Sequence, residues 1–510
     1  KKSLTEEKES VLAEQLKDLK NRMTEEELEK LIADTKQLKE YQETPSTDEE
    51  LETIPLLEIE DIEKNPKPFI YKEEKLPAYT AIYNELFTNG IGYLDIAFDF
   101  STLPMEYVPY VGLLKYVLSF MDTDRRYTEL NTDIDMNLGG LLFSSGIYVN
   151  SLEKTAKYQV EVHTKAMDDK LKKAISIIKE IITKTDFSDE KRLKEILEET
   201  KSRLNKSIIQ SGNIASRMRA VSDYSEDYYI REQTSGIDFY KFVEDILENY
   251  DTCKIEVMNK LSDTIKYIFR KDNMIINYAG SQESYEKVKT YIAKLQECMY
   301  ESVDFKPHFN GWKFEPTEKN EGFITSGQVQ YVSRCGNYKD DQSEFFDGSM
   351  QVLSNIMSSE YLWNNIRVLG GAYGCNCSVT RSGDVMFSSY RDPNLKRTSD
   401  VYLNAPEYIA QFDASEREMR KYIIGTISNM DTPLSAADRS GREFTQYMSG
   451  TSYEMLKRER EDVLKTDVAK IRSLAPKFKK ALEKNHICVV GGKSAITSDE
   501  ELFNEIKELG

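Results

Sequence analysis

The residues best suited to chemistry lie in one short string, Leu362 to Gly374, which Phe387 to Asn394 continue further along the chain. Apolar spacing that stops at Gly370-Gly371 predicts a helix ending at the glycines and a strand beginning after them. Arg367 leaves the helix end and Tyr373 opens the strand, so both side chains can face one cavity. Arginine offers five donors for a carboxylate or a peptide carbonyl, and a tyrosine hydroxyl can donate to a tetrahedral intermediate. This pair is a candidate site, with a buried arginine bridged to an acidic residue as the alternative.

Three other groupings hold reactive residue types in incomplete patterns. Gly492-Lys493-Ser494 resembles the end of a phosphate-binding loop, but the first glycine of that motif is missing. Cys375 and Cys377 share a strand face without a second Cys or His pair, which favours free thiols over a metal site. Glu161 and His163 also share a strand face, and a histidine satisfied by its neighbours is the preferred interpretation.

The elements that position these residues follow one plan twice. With 510 residues, the chain is too long for a single ordinary core. Strands and helices intermix over residues 67–300, and residues 323–510 repeat the pattern after a charged linker at 301–322. In both regions a glycine pair, Gly139-Gly140 and Gly370-Gly371, stands between a helix and a strand pair, although such short strings can also recur by chance. This predicts an α+β fold of two homologous domains, each a mainly antiparallel sheet with helices packed on one face.

Residues 1–66 are predicted to form a charged helical hairpin ahead of the two domains. Leucines recur at helical spacing, and Thr24 followed by Glu27 is a capping-box signature that restarts a helix. The functional interpretation is a hinge arm that joins the chain to a preceding half, and the alternative is a solvated coiled coil. Near the other end, the pattern predicts one strand close to Ile324–Val332 and a final helix after Ser498.

Composition excludes some classes of function. The net charge of −19 disfavours nucleic acid as a partner and would attract basic peptides. No apolar run reaches the length of a membrane span, so no membrane partner is predicted. Six cysteines are too few for a disulfide framework in a chain of this size, which indicates a reducing compartment, the cytoplasm or alternatively an organelle matrix.

The ordered string around Arg367 resembles the C-terminal signature of the pitrilysin/insulinase family of zinc metallopeptidases, most of all its presequence-protease branch. In that branch Arg-x-x-Gly-Gly-Ala-Tyr-Gly and Tyr-Arg-Asp-Pro-Asn occur together, as they do here. The likeness covers the whole chain, since the hairpin resembles the hinge between the family's halves and the two domains resemble its third and fourth. It implies the C-terminal, non-zinc half of a clamshell metalloendopeptidase that degrades unfolded peptides. Arg367 and Tyr373 would hold the substrate backbone and support the transition state.

The chain departs from the complete family pattern in its histidines. None of His163, His308 and His486 belongs to a His-x-x-Glu-His motif, and a catalytic zinc needs about three protein ligands. The chain alone is therefore predicted to bind no catalytic zinc and to hydrolyse nothing. Its expected partners are an N-terminal half that carries the zinc and unfolded peptide substrates. The alternative is a noncatalytic peptide-binding or scaffold subunit, whereas a purely structural helical arm would explain only residues 1–66.

Overall fold

The computed structural model describes residues 4–44, 47, 49–50, 53–55, 57–301, 311–340 and 344–509. His308 and residues 302–310 of the predicted linker therefore lie outside the described residues. The chain forms two compact units, Lys1–Ile62 and Glu63–Gly510. None of the described helices is long and apolar enough to cross a membrane.

The first unit contains two helices, α1 (Leu4–Arg22) and α2 (Glu25–Glu43). The predicted capping box is present at the start of α2. The backbone N–H of Glu27 donates to the Thr24 hydroxyl, and the Glu27 carboxylate accepts from the Thr24 backbone N–H at 2.9 Å. Two otherwise unpaired N–H groups are satisfied there, which fixes the beginning of the second helix.

The second unit contains two six-stranded sheets and the helices that cover them. The strands are β1 Lys72–Lys75, β2 Thr80–Glu85, β3 Ile91–Asp99, β4 Leu141–Asn150, β5 Thr155–Met167, β6 Ile275–Gly280, β7 Glu321–Thr325, β8 Tyr331–Asn337, β9 Gly374–Val379, β10 Asp384–Tyr390, β11 His486–Gly492 and β12 Glu505–Glu508. The helices are α3 Val108–Val117, α4 Tyr127–Asn137, α5 Leu171–Lys184, α6 Glu190–Gln210, α7 Gly212–Ser222, α8 Glu226–Ser235, α9 Ile237–Glu248, α10 Tyr250–Ile268, α11 Gln282–Glu297, α12 Ser349–Ile356, α13 Lys396–Leu403, α14 Ala405–Gln411, α15 Glu416–Met430, α16 Ala436–Met448, α17 Tyr453–Leu464, α18 Val468–Ser473, α19 Ala475–Glu483 and α20 Lys493–Ser498.

The two sheets share one topology. Their strand orders are β1-β2-β6-β3-β5-β4 and β12-β7-β11-β8-β10-β9. The inner pair, β2 with β6 and β7 with β11, is parallel in each sheet, and the next three pairings are antiparallel in both. Only the edge strand differs, because β1 precedes its sheet and runs antiparallel whereas β12 ends the chain and runs parallel. The predicted α+β class with two homologous domains is confirmed. The limits 67–300 and 323–510 stay predictions, since contacts join both sheets into one compact unit.

Each sheet is covered on one face by helices of its own domain and on the other by a single helix from the other domain. Helices α5 and α11 pack on the first sheet, and α16 approaches its opposite face, where Phe444 and Met448 contact Ile82 and Ala97. Helices α12, α13 and α19 pack on the second sheet, and α7 crosses its opposite face. The domains therefore exchange one helix each, an arrangement that the sequence patterns did not indicate.

A buried ion cluster accompanies α7 at this crossing. The Arg219 guanidinium bonds to Glu321 of β7, with 3.1 Å between Nη2 and Oε1, and lies 2.8 Å from Asp238 and 3.5 Å from Glu232. Glu321 is 2% exposed and Glu232 is completely buried. Burial opposes ionisation of Glu321, but the hydrogen bonds from Arg219 and Lys507 outweigh it and lower its pKa to about 2. A charged clamp thus holds the first domain against the edge of the second sheet.

Two sequence predictions near the chain end are wrong. The predicted strand at Ile324–Val332 is two strands, β7 and β8, separated by a turn in which the Gly327 N–H donates to the Thr325 hydroxyl. The predicted helix after Ser498 is instead a short turn followed by β12, the charged edge strand. Its sequence, Glu-Ile-Lys-Glu, has little strand propensity, but charged residues on a short edge strand prevent pairing with other chains.

Candidate functional site

The helix that leads to Arg367 widens before it ends. Helix α12 stops at Ile356, and the chain continues as two π-helical segments, Met357–Tyr361 and Trp363–Val368. Gly371 then takes a φ of +80°, in the left-handed region that favours glycine. The Ala372 N–H returns to the carbonyl of Ile366 at 3.0 Å and closes the corner. The predicted helix–glycine–strand order is present, with π-turns that are common at functional sites.

Arg367 lies half-buried between two aromatic rings at this corner. Its guanidinium carbon is 5.9 Å from the centre of the Trp363 ring and 5.3 Å from that of Tyr373. One Nη1–H donates to the Ala372 carbonyl at 2.8 Å, which orients the fork. Across the part of the chain that the structure describes, no carboxylate forms an ion pair with it, so the alternative of a buried, acid-bridged arginine does not hold. Donors remain for an incoming carbonyl or carboxylate.

Tyr373 stands beside Arg367 with its side chain 66% exposed. Its backbone N–H donates to the Tyr390 carbonyl at 3.0 Å, and its ring meets the Tyr390 ring edge-on at 6.0 Å between centres. The strand therefore fixes the backbone while the phenol projects toward solvent. The two residues that sequence reasoning paired are thus neighbours, and both present donors on the same side of the corner.

The second part of the sequence signature supports the first part. Asn394 Nδ2 donates to the Gly370 carbonyl at 2.6 Å, and Arg397 Nη1 donates to the Leu369 carbonyl at 3.1 Å. Asp392 is completely buried and accepts from the Thr398 hydroxyl at 2.7 Å. The two strings are separated in sequence because one forms the corner and the other forms the loop that holds its carbonyl groups.

An exposed apolar rim surrounds the pair. Trp363, Val368 and Leu369 are 47%, 61% and 66% exposed. Such a cluster next to hydrogen-bond donors is typical of a binding surface. Sequence reasoning missed it, although Trp363 was a usable signal because the chain has only two tryptophans.

The equivalent corner of the first domain is chemically different. Counting from the glycine pair, Met136 takes the place of Arg367 and Leu142 takes that of Tyr373. Both are exposed, at 77% and 59%. The duplication therefore preserves the backbone of the corner, while the polar pair occurs only in the second domain.

His163 belongs to a polar network on the first sheet. Its Nδ1–H donates to Asp95 Oδ1 at 2.8 Å, and its Nε2 lies 2.8 Å from the Ser144 hydroxyl and 3.4 Å from Glu161 Oε2. The distances resemble a Ser-His-Asp triad, but the proton inventory does not. Burial opposes the charge, yet the hydrogen bonds with Asp95 and Glu161 outweigh it and raise the pKa of His163 to about 10. An imidazolium cannot accept the Ser144 proton, so the prediction of a histidine satisfied by its neighbours is confirmed.

This network predicts a pH dependence of stability. Because the pKa of His163 is raised from 6.5 to about 10 in the folded chain, its contribution is fully present below pH 6.5 and is lost as the pH rises toward 10. Urea unfolding of the chain and of His163→Gln should therefore give a stability difference that shrinks between those pH values. Parallel curves for the two proteins over this range would contradict the assigned ionisation.

The remaining sequence candidates have ordinary structural roles. Cys375 and Cys377 are free thiols, and burial raises their pKa values to about 11 and 12, so neither is a reactive thiolate. Lys493 lies 3.3 Å from Glu508 of β12. Among the residues that the structure describes, no three His, Cys, Asp or Glu side chains are placed to hold a metal ion.

Sequence comparisons give two family matches and a consistent set of relatives. Residues 1–246 match the associated domain of peptidase family M16, subfamily C, and residues 320–493 match the PreP C-terminal domain. Protein HypA of Clostridium perfringens is 36% identical over 515 residues, covering 100% of this chain and 52% of that protein. Presequence protease 1, chloroplastic/mitochondrial, of Arabidopsis thaliana is 27% identical over 501 residues, covering 97% and 46%. The chain thus spans about half the length of these relatives.

Solved structures share the fold. A conserved protein from Enterococcus faecalis superposes with a TM-score of 0.58 at 13% identity, covering 84% of this chain and 99% of that one. A peptidase M16 inactive domain from Pseudomonas fluorescens superposes with a TM-score of 0.56 at 15% identity, covering 83% and 98%. At these identities the likeness concerns the architecture of two packed α+β domains.

Proposed function

Because the chain belongs to the presequence-protease branch of the pitrilysin/insulinase family and corresponds to its C-terminal half, we propose that it is the noncatalytic half of a zinc metalloendopeptidase. In this proposal it forms one wall of a closed chamber and binds unfolded peptides there. Arg367 and Tyr373 bind the substrate backbone and the oxygen that becomes negative in the transition state. The hairpin of α1 and α2 serves as the hinge to the N-terminal half.

The observation that carries this proposal is the geometry of Arg367. Its fork is oriented by the Ala372 carbonyl and by two aromatic rings, without an acidic partner among the described residues. An oriented cation with remaining donors, beside an exposed phenol and an apolar rim, suits a peptide with its carbonyl groups and side chains. Preorganised donors of this kind stabilise developing negative charge without rearranging during the reaction.

The described residues of this chain do not fit the zinc that the family resemblance implies, because they offer no three-ligand cluster. The proposal therefore places zinc and the activation of water on the N-terminal half, and gives this chain substrate binding and orientation only. The six cysteines are free, which supports a reducing location, either the cytoplasm or an organelle matrix.

Reconstitution tests the proposal. The chain is mixed with a separately produced N-terminal half, and cleavage of an unfolded peptide is measured. We expect no cleavage by the chain alone and zinc-dependent cleavage by the mixture. The alternative, a noncatalytic peptide-binding or scaffold subunit, predicts peptide binding by the chain without any cleavage in the mixture. Trp363 provides the binding signal, with Trp312 replaced by Phe so that fluorescence reports only the candidate site.

A further inference from the structure

A second cavity lies between the two domains, away from the corner of Arg367. It has a volume of about 590 Å³ and is lined by the hairpin of β4 and β5 on one side and by the ends of β8 and β10 on the other. This volume falls within the range of small-ligand pockets, about 300–1,000 Å³. The site and the comparisons above assign no role to it.

His486 lines this cavity as an unpartnered buried group. It is 2% exposed, and neither ring nitrogen forms a hydrogen bond with any described residue. The nearest carboxylate, Asp223, is 3.8 Å from Nδ1 and already accepts from the Thr317 hydroxyl and the Lys319 N–H. The imidazole packs at 4.7 Å against the ring of Tyr224, whose buried hydroxyl likewise forms no hydrogen bond within the described residues. Buried polar groups are normally satisfied, so two adjacent exceptions indicate a ligand.

Carboxylates give the cavity its charge. Asp384 is 3% exposed and accepts from Asn337 and Thr380. Burial, together with the charge of nearby Asp227, raises the pKa of Asp384 to about 6, and the same two causes raise the pKa of Glu226. A cation in the cavity would relieve this crowding of like charges.

The cavity's lysines do not neutralise these acids. Lys339 donates to the carbonyls of Glu344 at 2.6 Å and Arg381 at 2.8 Å, and Lys480 forms an ion pair with Asp340. Lys154 and Lys484 are on the exposed rim. Asp227 lies 3.9 Å from Arg231, a long contact that leaves room for a second cation. The buried end of the cavity is thus acidic, with hydrogen-bond acceptors on His486 and Tyr224.

We propose that this cavity binds a lysine or arginine side chain of the peptide substrate, an inference that rests on the proposed function. Asp227 and Asp384 would compensate the positive charge, and His486 and Tyr224 would accept its hydrogen bonds. Asp384 and Tyr390 are the two ends of β10 on one face, about 20 Å apart at 3.4 Å per residue. A basic residue about six positions from the bond held near Arg367 would therefore reach the cavity in an extended peptide.

Twin peptides test this inference on the 510-residue chain. Two fluorescein-labelled decapeptides differ only in one central residue, arginine in the first and the neutral isostere citrulline in the second. Fluorescence anisotropy should show about tenfold tighter binding of the arginine peptide, the scale of a charge-assisted hydrogen bond in a partly buried site. Equal affinity for the twin peptides would overturn the inference.

Variants locate the effect. Asp227→Asn and Tyr224→Phe should each remove most of the preference for arginine, while Asp340→Asn on the exposed rim should preserve it. Thermal unfolding verifies that each variant is folded. A preference unchanged in both Asp227→Asn and Tyr224→Phe would place the charge-dependent binding elsewhere and refute the assignment.

The outcome is separable from that of the proposed function. If the twin peptides bind alike while Arg367→Ala abolishes turnover of the reconstituted enzyme, only the cavity inference fails. If the arginine preference follows Asp227 while Arg367→Ala retains full turnover, the cavity assignment holds and the role of Arg367 fails.

Discussion

Replacing Arg367 by Ala is expected to lower kcat/KM of the reconstituted peptidase about 100- to 1,000-fold, the effect of removing one preorganised oxyanion donor. The side chain is half-buried and has no ion pair within the described residues, so its loss leaves no buried charge behind. The free energy of unfolding should change by less than about 1 kcal/mol. Peptide cleavage kinetics and urea unfolding of the same preparations check both statements.

Two further variants separate charge from position. Tyr373→Phe removes one hydroxyl and should lower kcat more than it raises KM, because that donor acts on the transition state. Arg203→Ala, which removes a 58% exposed arginine side chain from α6, should leave kinetics unchanged. Full activity in both Arg367→Ala and Tyr373→Phe would refute the assigned roles.

Replacing Arg219 by Met is expected to cost about 3–5 kcal/mol of folding stability, because a buried ion cluster loses its arginine while Glu321 remains buried. The folded-state pKa of Glu321 is lowered from 4.5 to about 2, so the stabilisation is present above pH 4.5 and is lost as pH falls toward 2. The difference between the parent chain and Arg219→Met should therefore be largest above pH 4.5. Denaturant unfolding at several pH values measures it.

An exposed pair provides the matched control. Lys72 and Glu85 lie 3.0 Å apart on the first sheet with side chains 64% and 55% exposed. Lys72→Met should cost no more than about 1 kcal/mol, since solvent screens a surface pair. Similar losses for Lys72→Met and Arg219→Met would show that burial adds nothing at the crossing of α7.

Much of the fold was predictable because the central strands are apolar runs bounded by glycine and by long amphipathic helices. Strand β3 was predicted at Tyr93–Phe100 and lies at Ile91–Asp99. The edge strands β1 and β12 were missed because sequences such as Lys-Glu-Glu-Lys become strands only when a neighbour supplies hydrogen bonds. The single strand predicted at Ile324–Val332 ignored Ser326-Gly327, which is the turn signal between β7 and β8.

The candidate site was predictable only in part. Arg367 and Tyr373 stood out by residue type and by their place at a helix–strand corner, and the structure brings them together. The π-turns and the carbonyl support from Asn394 depend on contacts between distant segments, so no local pattern reports them. The cavity around His486 depends on residues from both sheets and was invisible for the same reason.

The exchange of α7 and α16 between the domains has a consequence for biosynthesis. A ribosome completes all strands of the first sheet by residue 280, but Phe444 and Met448, which cover Ile82 and Ala97, emerge more than a hundred residues later. At about 5–20 residues per second, the nascent first domain exposes that apolar face for several seconds to tens of seconds. During that interval it is a natural client for a chaperone, and truncated products of translation should be aggregation-prone until α16 has been synthesised.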